Sequence, residues 1–170
     1  MRKALVLDTN LFVLLVVGAA GEELVEAHRR LSGYTREHYR WLRDIVRTAP
    51  KVVCTPHIPA ETSNFLRQGG ANVARRCMEQ FSRLIGSAGE IWRPASELAT
   101  ADPFIRLGLT DAAILDLAPE DHILLTVDFD LDGAARKRGF EVQNPTRLFH
   151  EGPGLGRTKR KRPRTTRKKR

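Results

Sequence analysis

Three short apolar runs punctuate the chain: KALVL at 3–7, KVVCT at 51–55 and ILLTV at 123–127. Each has the length of a strand and none alternates apolar with polar residues, the pattern of strands covered on both faces. Between them the sequence turns helical. Thr35 is suited to cap a helix through Thr48, with Tyr39, Leu42, Ile45 and Val46 on one face. Pro59 suits the first turn of a helix that carries Glu61, Asn64 and Phe65 and is ended by Gly69-Gly70. Residues 71–85 read as another amphipathic helix, 90–92 as a short strand, and Thr110 as the N-cap of a helix over 111–117. A helix through Arg138, with Gly139 behind it, precedes a last strand at 140–142. Residues 11–17 fit helix or strand, and 18–21 read as a loop. Strands separated by helices imply βαβ units. The expected class is therefore α/β, a three-layer α/β/α sandwich around a mainly parallel sheet.

The charge is unevenly placed. The whole chain carries +9, yet ten Lys or Arg residues and no acid lie between 157 and 170. Without them, 19 basic residues face 20 acidic ones, so the body is nearly neutral. Residues 1–150 are expected to form the folded domain. Residues 151–170 have almost nothing to bury and are expected to be a disordered basic tail. Such a tail suits phosphate backbones without sequence preference, through Arg157, Lys159, Arg160, Lys161, Arg162, Arg164, Arg167, Lys168, Lys169 and Arg170. One reading is that it raises the local concentration of RNA or ribosomes; a nuclear-type localisation signal and a solubilising end are the competing readings of such a run.

The start of the chain, basic and then apolar to Ala20, has the outline of an export signal. Asp8 and Asn10 interrupt it, and the run is too short for a membrane span. A cytoplasmic protein without membrane contact is expected. Cys54 and Cys77 lack the close partners of a zinc site and are expected to be reduced, packed thiols. His57 lies four residues before Glu61, but Pro59 argues against a helix at His57 and so against a zinc pair. Trp41, Trp92 and Phe104 are expected to pack rather than to stack on bases.

The acids are informative by position. Asp8 ends the first apolar run and has no evident local structural duty, while Asp128 ends the ILLTV run, with Asp130 and Asp132 beyond it. Glu61 falls in the first turn of a helix that follows a strand, and Asp111 opens another. Sites in open α/β sheets form beyond the carboxyl ends of strands, at a topological switch point. Asp8, Glu61, Asp111 and Asp128 can therefore converge. Like charges that close raise one another's pKa, and hard oxygen donors without His or Cys favour Mg²⁺ or Mn²⁺.

Four segments, LDTN at 7–10, TPHIPAETSNFL at 55–66, LGLTDAAILDLA at 107–118 and LLTVDFDL at 124–131, make the chain resemble the PIN-domain nucleases. That family includes the toxin ribonucleases of type II toxin–antitoxin systems. The resemblance covers all but the tail. It implies Mg²⁺- or Mn²⁺-dependent endonucleolytic cleavage of RNA, with Asp8, Glu61, Asp111 and Asp128 as the catalytic acids and Asp8, Asp111 and Asp128 as metal ligands. Asn10 and Thr126 would orient the first and last acids, and Asn64 would help anchor Glu61. Related sequences often carry two adjacent acids after the strand Thr. Here Val127 takes the first place, which leaves Asp128, with Asp130 in reserve. The resemblance also implies a homodimer and an antitoxin as a candidate partner. A PIN-fold protein that binds RNA without cutting it is the alternative. A phosphohydrolase of the haloacid-dehalogenase type would want an acid at position 10, where Asn10 stands.

Overall fold

The computed structural model describes residues 2–146. The expected basic tail lies outside the described residues. Five strands, β1 (Ala4–Leu7), β2 (Val52–Cys54), β3 (Gly89–Glu90), β4 (His122–Leu125) and β5 (Glu141–Gln143), form one sheet in the order β3-β2-β1-β4-β5. Every neighbouring pair is parallel. β1 is central, with Leu5 beside both Val52 and Ile123. Its Leu5, Val6 and Leu7 are all buried, as a strand covered on both faces requires.

Eight helices connect the strands: α1 (Thr9–Ala20), α2 (Arg36–Thr48), α3 (His57–Phe65), α4 (Ala71–Ser87), α5 (Ala95–Leu98), α6 (Asp102–Leu107), α7 (Leu109–Leu115) and α8 (Phe129–Lys137). From β1 the chain steps outward to β2 and β3, then returns past β1 to β4 and β5. Right-handed crossovers then put α1–α4 on one face and α5–α8 on the other. The packing agrees: α1 meets α2, α3 and α4, and α7 meets α5, α6 and α8. The result is the α/β/α sandwich expected from the sequence. α3 also packs against α7, which links the two helical layers.

α1 resolves the ambiguity at 11–17. Ten of its twelve residues are buried, so it is apolar on every side and its sequence has lost the helical period. The helix also runs through the expected loop at 18–21, and Gly21 ends it. Gly18 is a packing residue: a Cβ there would lie 2.1 Å from Cδ2 of Tyr39 on α2. Thr35 caps α2 as expected. Its hydroxyl accepts from His38 N–H, and its own N–H donates to His38 Nδ1, a reciprocal capping box.

Three other expectations need correction. α7 starts at Leu109 behind Gly108, so Thr110 lies inside the helix and is not its cap. Gly108, at φ 92°, makes the sharp turn from α6 into α7 that sets this earlier start. Trp92 is 66% exposed, because β3 ends at Glu90 and leaves it on a surface segment. Trp41 does pack against the core. α3 begins at His57 despite Pro59, which is tolerated in a first turn where no intrahelical N–H bond is lost.

Cys54 and Cys77 are free and buried, and burial pushes the Cys54 thiol up to about 11. No helix among the described residues is long and apolar enough to cross a membrane.

Candidate active site

β1 and β4 run side by side with Leu7 opposite Leu125, so Asp8 and Thr126 emerge next to each other at the carboxyl edge. Chain direction through the sheet reverses between these two strands, which makes this edge the switch point. The buried Asp8 carboxylate is held on both oxygens. Oδ1 accepts from Leu11 N–H at 2.8 Å and so caps α1. Oδ2 accepts from the Thr126 hydroxyl at 2.5 Å and from Val127 N–H at 3.0 Å. Asp8 thus has the structural duty that the sequence did not reveal, as a helix cap joined to the end of β4. Burial pushes its carboxyl above the usual range against these three donors, and the nearby Asp128 adds to the rise.

Asp128 is also a cap. Its Oδ1 accepts from Asp130 N–H at 2.7 Å and Leu131 N–H at 3.0 Å, closing the start of α8. Its own N–H donates to the Thr126 hydroxyl at 3.0 Å. Thr126 was expected to orient the last acid. It orients the first through its hydroxyl hydrogen and touches the last only through the backbone.

Glu61 is the fifth residue of α3, one turn deeper than expected. Its Oε2 accepts from the Thr9 hydroxyl at 2.8 Å, which ties α3 to the start of α1. The resemblance gives that anchor to Asn64, but Asn64 is exposed and the work falls to Thr9. Thr9 sits beside Asp8 in the DTN segment, so its position in the chain was the available signal. Asn10 is half-buried, and Asp8 is oriented by Thr126 instead.

Asp111 lies in the first turn of α7, where burial pushes its carboxyl up to about 7, with Asp128, Asp8 and Glu61 each raising it further. Four acids from four separate segments therefore act on one another. Among the described residues none of the four is in an ion pair, although ten such pairs exist elsewhere. Tyr34, in the segment before α2, also feels this charge: burial and then Asp8 raise its hydroxyl above the usual tyrosine range.

Asp130 stands outside the group, exposed and 3.8 Å from Arg106. Both line a cleft of about 590 Å³ between α6 and α8, with Asp102, Phe129 and Lys137, and none of the four acids lines it.

The four acids offer hard oxygen donors of the kind that suit Mg²⁺ or Mn²⁺. As the side chains stand, no three His, Cys, Asp or Glu residues among the described residues are close enough to hold one ion together. Several oxygens are turned toward helix N-termini and hydroxyls instead. His57 and Glu61 do share a helix, and His57 Nδ1 is buried without a partner. One His with one Glu falls short of a zinc set.

Compared with family models, with curated proteins and with solved structures, the chain gives no match in any of the three.

Proposed function

We propose that this chain is a divalent-metal-dependent ribonuclease of the PIN type, with Asp8, Glu61, Asp111 and Asp128 as its acidic set. The observation that carries this reading is the gathering of these acids at the carboxyl edge of the sheet, with Asp111 half-buried there and in no ion pair among the described residues, where burial and the other three acids push its carboxyl up to about 7. Such a group lacks a positive partner, and a hard cation would supply one. Asp8, Asp111 and Asp128 are the residues to hold it. A bound Mg²⁺ or Mn²⁺ would polarise a phosphate oxygen and lower the pKa of water.

The chain's own contribution is placement. Thr126 and Val127 fix Asp8, and Thr9 fixes Glu61 on the facing helix. The body is close to neutral and its acid group repels naked RNA. The Lys/Arg-rich segment at 157–170 is therefore proposed to hold the substrate. A cytoplasmic location goes with this reading. A homodimer and an antitoxin partner rest on the PIN resemblance alone.

A second reading, a PIN-fold protein that binds RNA without cutting it, draws on two observations. Val127 stands where an acid is often found, and Asp8 and Asp128 both spend oxygens on helix caps. The test is cleavage of labelled single-stranded RNA with Mg²⁺ or Mn²⁺, beside Asp8→Asn and an EDTA control. Cutting that requires metal and disappears in Asp8→Asn supports the nuclease. RNA binding with no cutting in either metal moves the second reading ahead. Removal of 157–170 should weaken RNA binding and flatten its salt dependence. Unchanged affinity and slope would remove the tail from the account.

A further inference from the structure

Ten aromatic residues fall among the described residues, and only two of them are exposed, Trp92 at 66% and Phe129 at 70%. Neither has a ring or a cation stacked on it there. Both stand at the edge that carries the acids. Val6, Val53, Gly89 and Leu124 form one row across the sheet. Past that row toward the carboxyl edge, Asp8 is the second residue after Val6, Trp92 the third after Gly89 and Phe129 the fifth after Leu124. β3 and β4 are three strand spacings apart, about 14 Å, and β1 with Asp8 lies between them. Asp128 directly precedes Phe129, and its cap on the Asp130 and Leu131 N–H groups fixes the backbone that bears the ring.

Cations accompany each ring. The exposed Arg93 follows Trp92 in the chain. Arg106, Lys137 and Arg138 line the cleft that also contains Phe129, against two acids, Asp102 and Asp130. Lys137 is exposed and in no ion pair among the described residues. Open aromatic faces set among cations are what a single nucleic-acid strand needs, because its bases stack on the rings while its phosphates meet the charges. A protein partner would call for joined apolar surface, whereas here the acids separate the two rings.

We infer that this edge takes RNA as a single strand, with one base stacked on Trp92, another on Phe129, and the phosphates between them passing the acids. The inference rests on the reading of this edge as a site for RNA and adds the form of RNA that it accepts. A duplex keeps its base faces covered, so neither ring reaches one. Stacking tolerates every base, so no strong sequence preference goes with it.

The test uses the full chain in EDTA with Trp41→Phe, which leaves Trp92 as the one tryptophan, and reads its fluorescence. The probes are an oligouridylate, an abasic strand of the same length and charge, and an RNA duplex. The oligouridylate should quench Trp92, while the abasic strand and the duplex bind without quenching it. Phe129→Leu keeps an apolar side chain but removes the aromatic face. It should weaken oligouridylate binding at least about fivefold and leave abasic binding unchanged, with Phe129→Tyr close to the parent. The inference is overturned if the oligouridylate leaves Trp92 unquenched at millimolar concentration, or if the abasic strand quenches it equally. It is also overturned if Phe129→Leu binds as well as the parent, the result expected of a surface that docks protein. Cleavage with Mn²⁺ is read in a separate sample. Quenching without cutting supports the single-strand track and removes the nuclease; cutting without quenching does the reverse.

Discussion

Thr126 has the most concentrated role of any single residue at the candidate site. Its hydroxyl donates to the buried Asp8 carboxylate and accepts from the Asp128 N–H, joining the ends of β1 and β4 to the start of α8. Thr126→Val keeps the shape and removes both bonds. It should cost about 1–3 kcal/mol, the usual consequence of leaving a buried acceptor short of a donor. Urea unfolding would measure this, with Thr126→Ser close to the parent. A Val variant as stable as the parent would show that the bond contributes nothing. Asp111 gives a second prediction at this scale. Its folded pKa, about 7, lies above the ordinary aspartate value of 3.8, so the folded state binds the extra proton. The stability it contributes is full below about 4 and is lost as pH rises through 7. In metal-free protein Asp111→Asn should therefore help little at pH 5 and raise the melting temperature more at pH 8. An equal effect at both pH values would contradict the raised pKa.

At the scale of elements, α1 is the piece the sequence described least well. A helix apolar on every side has no amphipathic stripe, so its period could not be told from a strand's. Gly18 misled for a related reason. A glycine in sequence signals a loop, but here it marks where the Tyr39 ring of α2 lies against α1. Gly18→Ala should destabilise the protein by about 1–3 kcal/mol through overpacking. In a Tyr39→Ala background the same change should cost much less, as a double-mutant cycle would record. Equal costs in the two backgrounds would rule out that contact as the reason for the glycine. By contrast α2 was legible almost to the residue, because Thr35 and the spacing of Tyr39, Leu42, Ile45 and Val46 give both a cap and a face. The short helices α5 and α6 had too few residues to show any period.

For the whole molecule, the sheet class and the meeting of Asp8 with the end of β4 at one sheet edge were legible from the same signal, apolar runs that end on acids. β1 and β4 each end one residue or more before an acid, and their adjacency places Asp8 beside Thr126 and near Asp128. What sequence could not supply was the use made of the acids. Capping depends on which N–H groups a carboxylate meets, and only the fold shows that Asp8 and Asp128 meet the N-termini of α1 and α8. The anchoring of Glu61 by Thr9 likewise depends on α1 and α3 packing together across 52 residues of sequence. The central claim, that Asp8, Glu61, Asp111 and Asp128 form one acidic set around a cation held by Asp8, Asp111 and Asp128, is tested most directly by titrating Mn²⁺ into the protein and following paramagnetic broadening of its NMR signals. The account predicts that broadening appears first at residues flanking all four acids and is abolished in Asp111→Asn. Broadening centred elsewhere, or none at millimolar Mn²⁺, would contradict it.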